Sequence, residues 1–185
     1  CALPICLPER EYESFLHFTE MREKIEFMTD APAGLGKTAH LAFELARSVC
    51  NEGMSLFSAF IMLLNFQRFG KMKGTCEIVE WSIRDEMKHV EGMTKLFLTY
   101  CEEHPRVVTD KLKSYIYTNY EKAVELEDAL VDLVFKGVEI QGLTSDEVKT
   151  YIRYLADRRL LQLGLKPVFK QKDNPLKWVD WIVSG

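Results

Sequence analysis

The segment from Met54 to Phe66 is apolar around most of its circumference when wound as a helix. A surface helix carries one apolar stripe, whereas a helix apolar on all sides has to be enclosed by neighbours. This segment therefore marks the middle of a helical bundle. Upstream, Leu41, Phe43, Leu45, Ala46 and Val49 recur at helical steps and lead into Phe57, Phe60, Ile61, Leu64 and Phe66, which predicts one long helix from about 39 to 69. The few prolines and glycines fall in clusters that divide the remainder. Further helices are predicted over about 75–103, over about 109–136 (Leu112, Ile116, Tyr120, Val124, Leu130), and over about 144–163, with a shorter one within Glu9 to Thr29. Thr144 followed by Glu147 is a capping-box start, and Gly164 a stop. No sustained apolar–polar alternation and no Asn-Gly turn supports a strand. The expected fold class is all-α, and the short Gly70-Lys-Met-Lys-Gly74 link makes the helices on either side of it an antiparallel pair.

Composition narrows the function classes. The chain of 185 residues has a net charge of -4 and no long run of Lys or Arg, so it lacks the basic surface that grips a phosphate backbone, and nucleic acid is set aside as a partner. The longest apolar stretch, Leu56 to Leu64, is well short of the roughly 18 to 20 residues that cross a bilayer. No signal peptide is visible, and the expectation is a cytoplasmic protein without a membrane partner. The five cysteines are odd in number, widely spaced and without a Cys-x-x-Cys pair, which fits reduced thiols.

The residues that carry chemistry lie on the two helices around the Gly70–Gly74 turn. Glu86 and His89 stand three residues apart and share a helical face, the spacing at which a carboxylate and an imidazole take one metal ion. Carboxylate-bridged centres in helix bundles combine such Glu-x-x-His pairs with single Glu residues from other helices. Glu52 lies within the most apolar helix, where an unpaired carboxylate would cost several kcal/mol to desolvate. Counted from the turn near Met72, the axial offset between Glu52 and the Glu86–His89 pair is roughly 5 to 9 Å, small enough for tilt to level. A salt bridge from Glu52 to Arg47 and a solvated Glu86–His89 face are the plainer alternatives.

Three stretches resemble the second half of the ribonucleotide reductase small subunit family: Asn51-Glu-Gly-Met-Ser-Leu-Phe-Ser-Ala-Phe60, Gly70-Lys-Met-Lys-Gly74, and Glu80-Trp-Ser-Ile-Arg-Asp-Glu-Met-Lys-His-Val-Glu-Gly-Met93. Weaker similarity extends to Leu7–Phe15, Tyr154-Leu-Ala-Asp-Arg-Arg159 and Asn174-Pro-Leu-Lys-Trp178. The resemblance implies a ferritin-like bundle and a dinuclear metal centre, di-iron first, with manganese–iron or dimanganese as alternatives. It implies Glu52, Glu86 and His89 as metal ligands, Asp85 as an outer carboxylate that orients an imidazole and serves radical transfer, and Phe60 as a residue of the oxidant pocket or simply of the core. It further implies a large catalytic subunit as partner, a homodimer of the assembled small subunit, and reduction of ribonucleotides to deoxyribonucleotides.

The family's other ligands, a second Glu-x-x-His with an Asp or Glu and a radical-bearing Tyr, find no counterpart upstream of Glu52. The chain is thus expected to be the C-terminal half of the domain, working with a complementary N-terminal half. A split subunit is favoured over a processed fragment, and Cys1 has the nucleophilic side chain that splicing requires after an intein. A half bundle of this kind should expose its apolar central helix and be unstable or sticky alone. Two other readings stand beside this one. Ala31-Pro-Ala-Gly-Leu-Gly-Lys-Thr38 matches a permissive phosphate-binding loop, in which Lys37 would reach the phosphates and Thr38 hold magnesium; otherwise it is a turn with a helix start capped near Thr38. A metal-free helical interaction module is the other. Trp178 and Trp181 are expected to pack the C-terminal segment on the bundle, and the acidic run from Glu121 to Asp128 to be a solvated face.

Overall fold

The computed structural model describes residues 13–30 and 33–183, apart from the side chains of Phe15 and Val183. Cys1, Cys6, most of the Leu7–Phe15 stretch, Ala31 and Pro32 lie outside the described residues. Six α-helices form the fold: α1 (Thr19–Thr29), α2 (Lys37–Cys50), α3 (Phe57–Asn65), α4 (Lys73–Glu103), α5 (Asp110–Phe135) and α6 (Ser145–Gln162). Short 3-10 turns cover Ser14–His17, Phe66–Phe69, Pro105–Val107 and Lys177–Val183. Among the described residues there is no strand, only an isolated bridge between Ile140 and Leu143.

The expected helix over 39–69 is present but interrupted. Between α2 and α3, residues Asn51–Ser55 wind as a π-helix, which fits one extra residue into a turn. Asn51 and Gly53 are weak α-formers, and Glu52 lies between them in this π turn. The combined α2–π–α3 rod packs against α4, α5 and α6, and Ala46, Met54, Phe57 and Ile61 are fully buried along it. The rod Lys37–Phe69 is long and apolar enough to cross a membrane by length and composition, but its burial is that of a core helix.

The expectation that a half bundle would expose its apolar central helix is corrected by that burial. Exposed apolar residues are found on α4 among other places, and there Ile78, Trp81 and Leu96 share a face with Asp85 and His89. At the α3–α4 turn, Gly70 adopts the left-handed conformation that a side chain would disfavour. The chain reverses there, and α4 returns along α2.

The segment before α2 is a turn and a helix start near Thr38, as expected, with the extended backbone of Gly36 as the N-cap. Its carbonyls are already taken, Gly34 by Lys111 Nζ at 2.7 Å and Ala33 by Tyr115 Oη at 2.9 Å. It follows a helix, α1, where a phosphate loop needs the end of a strand, so Lys37 and Thr38 simply open α2. The acidic run of α5 is not uniformly solvated: Glu127 is fully buried.

The C-terminal segment is anchored by its polar residues. Asp157 accepts the backbone N–H groups of Val168, Phe169 and Gln171 at 2.7–2.9 Å, and Asn174 accepts that of Leu176 at 2.8 Å. The Arg68 guanidinium lies 4.7 Å above the Trp178 ring, while Trp181 remains 41% exposed beside α4.

Candidate metal centre

Glu52, Glu86 and His89 come together. One ligand atom from each lies within 4.8 Å of the others, and this is the one such cluster of three potential ligands among the described residues. His89 Nδ1 stands 3.4 Å from Glu86 Oε2 and 3.7 Å from Glu52 Oε2. His89 Nδ1 and Glu86 Oε2 make a long hydrogen bond, while Glu52 Oε2 stands beyond hydrogen-bond reach of the imidazole. The antiparallel return of α4 along α2 levels the axial offset, and the π turn that contains Glu52 packs against α4.

Ser48 Oγ donates to Glu52 Oε1 at 3.0 Å and fixes the carboxylate plane. The other oxygen, Oε2, is buried and has no hydrogen-bond partner. An orphaned carboxylate oxygen facing an imidazole nitrogen and a second carboxylate is a costly arrangement unless a cation is shared among them. Carboxylates and imidazole are the donors that iron and manganese accept, so the residues fit the group. Arg47 does not serve Glu52; it pairs with Glu44 at 2.6 Å and donates to the Asp30 carbonyl.

Asp85 is more remote. Its Oδ2 lies 3.9 Å from His89 Nε2, and its side chain is 71% exposed on the open face of α4. Phe60 is half-buried and packs edge-on against Phe57, as a core aromatic does.

Sequence reasoning missed what lies behind Glu52. Lys24, from α1, is buried, donates to the Ser55 carbonyl at 2.5 Å and pairs with Glu127. Glu127 also accepts from Ser58 Oγ. Burial pushes the Glu127 carboxyl above its ordinary range, with Lys24 and Ser58 pulling against that rise. From the other side, Arg159 of α6, only 2% exposed, donates from Nε to the Gly53 carbonyl at 3.1 Å. Burial depresses its pKa. Both residues lie on the apolar stripes of their helices, Glu127 between Tyr120, Ala123, Val124 and Val131, and Arg159 after Val148, Ile152 and Leu155, and that spacing is the signal that could have revealed them.

Comparison with known proteins decides the lineage. The family model described as ribonucleotide reductase, small chain, matches residues 6–175. The chain belongs to the ribonucleotide reductase small chain family. Two relatives in this family, both named Probable ribonucleoside-diphosphate reductase small subunit, come from Invertebrate iridescent virus 3 and Invertebrate iridescent virus 6. They are 38% identical over 196 residues and 36% identical over 216 residues. Each match covers 97% of this chain but only 52% and 60% of the relative, so the chain spans between half and three fifths of their length.

A crystal structure from Bacillus halodurans assigned to class I ribonucleotide reductase superposes with a TM-score of 0.86 at 26% identity, over 95% of this chain and 65% of that one. The R2 subunit from Clostridium botulinum shares the fold, with a TM-score of 0.80 at 22% identity over 94% of this chain and 56% of its own. The architecture of this small-chain family member is therefore the ferritin-like one.

Proposed function

We propose that this chain supplies Glu52, Glu86 and His89 to the dinuclear metal centre of a ribonucleotide reductase small subunit. One observation carries the reading: the buried Oε2 of Glu52 has no hydrogen-bond partner and stands 3.7 Å from His89 Nδ1, beside the hydrogen-bonded Glu86–His89 pair. Such a centre supplies, when bound, the one-electron oxidising chemistry from which a protein radical is made for a large catalytic subunit that reduces ribonucleotides. Di-iron is the favoured occupant, with manganese–iron and dimanganese as alternatives.

The chain's own residues prepare the site. Ser48 holds Glu52 Oε1, which leaves Oε2 without a hydrogen-bond partner. Glu86 and His89, one turn apart on α4, present an oxygen and Nδ1 to the same point. With Nδ1 committed there, Nε2–H is the remaining imidazole donor. In this reading the Asp85 carboxylate, 3.9 Å from His89 Nε2, is the outer acceptor for an imidazole and holds a proton during radical transfer.

Three ligands do not complete a pair of ions, which in such bundles takes about six. The remaining ligands are assigned to a complementary N-terminal portion, in keeping with relatives about twice as long. Its helices would cover the α4 face where Ile78, Trp81 and Leu96 are exposed around His89. The assembled small subunit is proposed as a cytoplasmic homodimer.

The test is co-expression with the complementary portion, purification and metal counting. Two metal ions per assembled subunit are expected, with one lost in Glu86→Ala or His89→Ala. Retention of both ions in both variants refutes the assignment.

A further inference from the structure

The π turn that carries Glu52 is gripped from two sides by buried cations. Lys24 Nζ, supplied by α1, donates to the carbonyl of Ser55, the last residue of the turn. Arg159 Nε, supplied by α6, donates to the carbonyl of Gly53, the residue after Glu52. A π turn departs from the i→i-4 ladder, so its carbonyls are available to side chains as those of a continuous α-helix are not. Each cation is itself held. Lys24 is paired with Glu127, which Ser58 of α3 also bonds, so the contact ties α1, α3 and α5 to the end of the turn. Arg159 NH1 donates to Gln162 Oε1 at 2.9 Å and NH2 approaches Met87 Sδ of α4 at 3.1 Å. Among the described residues no carboxylate forms a salt bridge with Arg159.

Gly53 records the same contact. A Cβ built there would meet Arg159 Nε at 2.6 Å, its Cδ at 3.0 Å and the Val90 side chain at 3.1 Å. The absence of a side chain at this position is what lets the guanidinium reach the backbone beside the ligand. Desolvating a cation and using it on a backbone carbonyl is an expensive way to make an ordinary helix contact. It is explained if the register of this one turn matters.

We propose that Lys24 and Arg159 are positioning residues that fix the π turn at Ser55 and Gly53, and thereby hold Glu52 aimed at Glu86 and His89. The proposal rests on the assignment of those three residues as metal ligands. Neither cation touches the ligand atoms in the described contacts; both act through the backbone on which Glu52 is mounted.

The experiment uses the assembled small subunit and Mn2+ as the probe. Two variants separate positioning from folding. Lys24→Met combined with Glu127→Leu removes the buried pair together, a replacement that is often neutral for stability, while abolishing the Ser55 contact. Arg159→Lys keeps the charge but cannot reproduce the Nε contact to Gly53.

Expected is a tenfold or greater loss of Mn2+ affinity at one site, the range in which residues supporting a ligand act, with circular dichroism unchanged. The electron paramagnetic resonance signature of bound Mn2+ should change with it, which a purely structural role would not produce. Wild-type affinity and signature in folded Arg159→Lys overturn the proposal for Arg159, and the same result in the double variant overturns it for Lys24. If the double variant does not fold, Arg159→Lys decides alone. Glu86→Ala in parallel separates the two levels: retention of both Mn2+ ions there would defeat the ligand assignment itself.

Discussion

Glu52 Oε2 stands 3.7 Å from His89 Nδ1, although the two residues sit on opposite arms of an antiparallel helix pair. Neither arm alone makes a site. Glu86 and His89 are neighbours by helical spacing, and a pair of this kind on an open face is ordinary. What gives the pair its meaning is Glu52 in the π turn, a half-buried carboxylate with one oxygen left without a hydrogen bond.

On the proposed function, Asp85→Asn should separate metal binding from radical transfer. Asp85 is 71% exposed and stands 3.9 Å from His89 Nε2, the ring nitrogen other than the one that faces Glu52 and Glu86. In the assembled subunit the variant should keep the wild-type metal count and its stability within about 0.5 kcal/mol, while nucleotide reduction with the large subunit falls about 10- to 100-fold. Metal analysis beside a turnover assay reads both quantities. Loss of an ion would make Asp85 a ligand instead.

Lys24→Met alone should be costly, and the cost should depend on pH in a defined direction. Removing the ammonium leaves Glu127 buried without its ion-pair partner, which typically destabilises by about 3 to 5 kcal/mol near neutral pH. This corresponds to a fall in Tm on the order of 10 °C. Burial already raises the Glu127 pKa, and Lys24 is the first of the groups holding it down, so the variant's value lies higher still. A carboxyl with a raised folded-state pKa contributes stability that is fully present below its unfolded pKa and is lost as pH rises through the folded one. The stability deficit of Lys24→Met should therefore shrink as pH falls toward the ordinary carboxylate range. Urea unfolding across that interval measures it, and a deficit independent of pH would show that Glu127 is not the group responsible.

How far such features can be read in advance depends on whether they are local. The capping box of Thr144 and Glu147 is written in four residues, and both of its reciprocal hydrogen bonds are present. The boundaries of α4, α5 and α6 follow apolar periodicity to within about two residues, and the three residues proposed as ligands, picked out by spacing and resemblance, lie together. The π turn was not legible. It depends on Lys24 and Arg159, which lie 31 and 106 residues from the carbonyls they bond, and an apolar pattern at helical steps runs through Asn51–Ser55 without showing the extra residue. Glu127 was misread because it sits among acids that are exposed, although its helical neighbours are buried.

Thr144→Ala tests the local end of that scale. The Thr144 hydroxyl accepts from the Glu147 backbone N–H at 3.2 Å, and Glu147 returns a bond to the Thr144 N–H at 2.8 Å. Removing the hydroxyl should cost about 1 kcal/mol and lower Tm by about 2 to 4 °C, with metal content unchanged because α6 meets the site only near its C-terminal end, through Arg159. Thermal unfolding followed by circular dichroism reads the shift; a change in metal content would show that the start of α6 is coupled to Glu52.

The cysteines offer a chemical reading of the core beneath the π turn. Cys50, Cys76 and Cys101 are free thiols, and the nucleophile in alkylation is the thiolate. Cys50 is fully buried immediately before Asn51, and burial pushes its thiol far up, with the Glu127 carboxylate adding to the rise. Cys76 is also fully buried and donates to the Leu63 carbonyl at 3.4 Å. Cys101 is only partly enclosed, and its pKa is raised by burial alone. Among the described cysteines, iodoacetamide at neutral pH should therefore modify Cys101 first, with Cys50 and Cys76 reacting only after denaturant is added, as peptide mass spectrometry would show. In Lys24→Met, where the ion pair below the turn is broken, labelling of Cys50 should accelerate relative to Cys76. Equal protection of the two in that variant would mean that the core under Asn51–Ser55 stays closed without the pair.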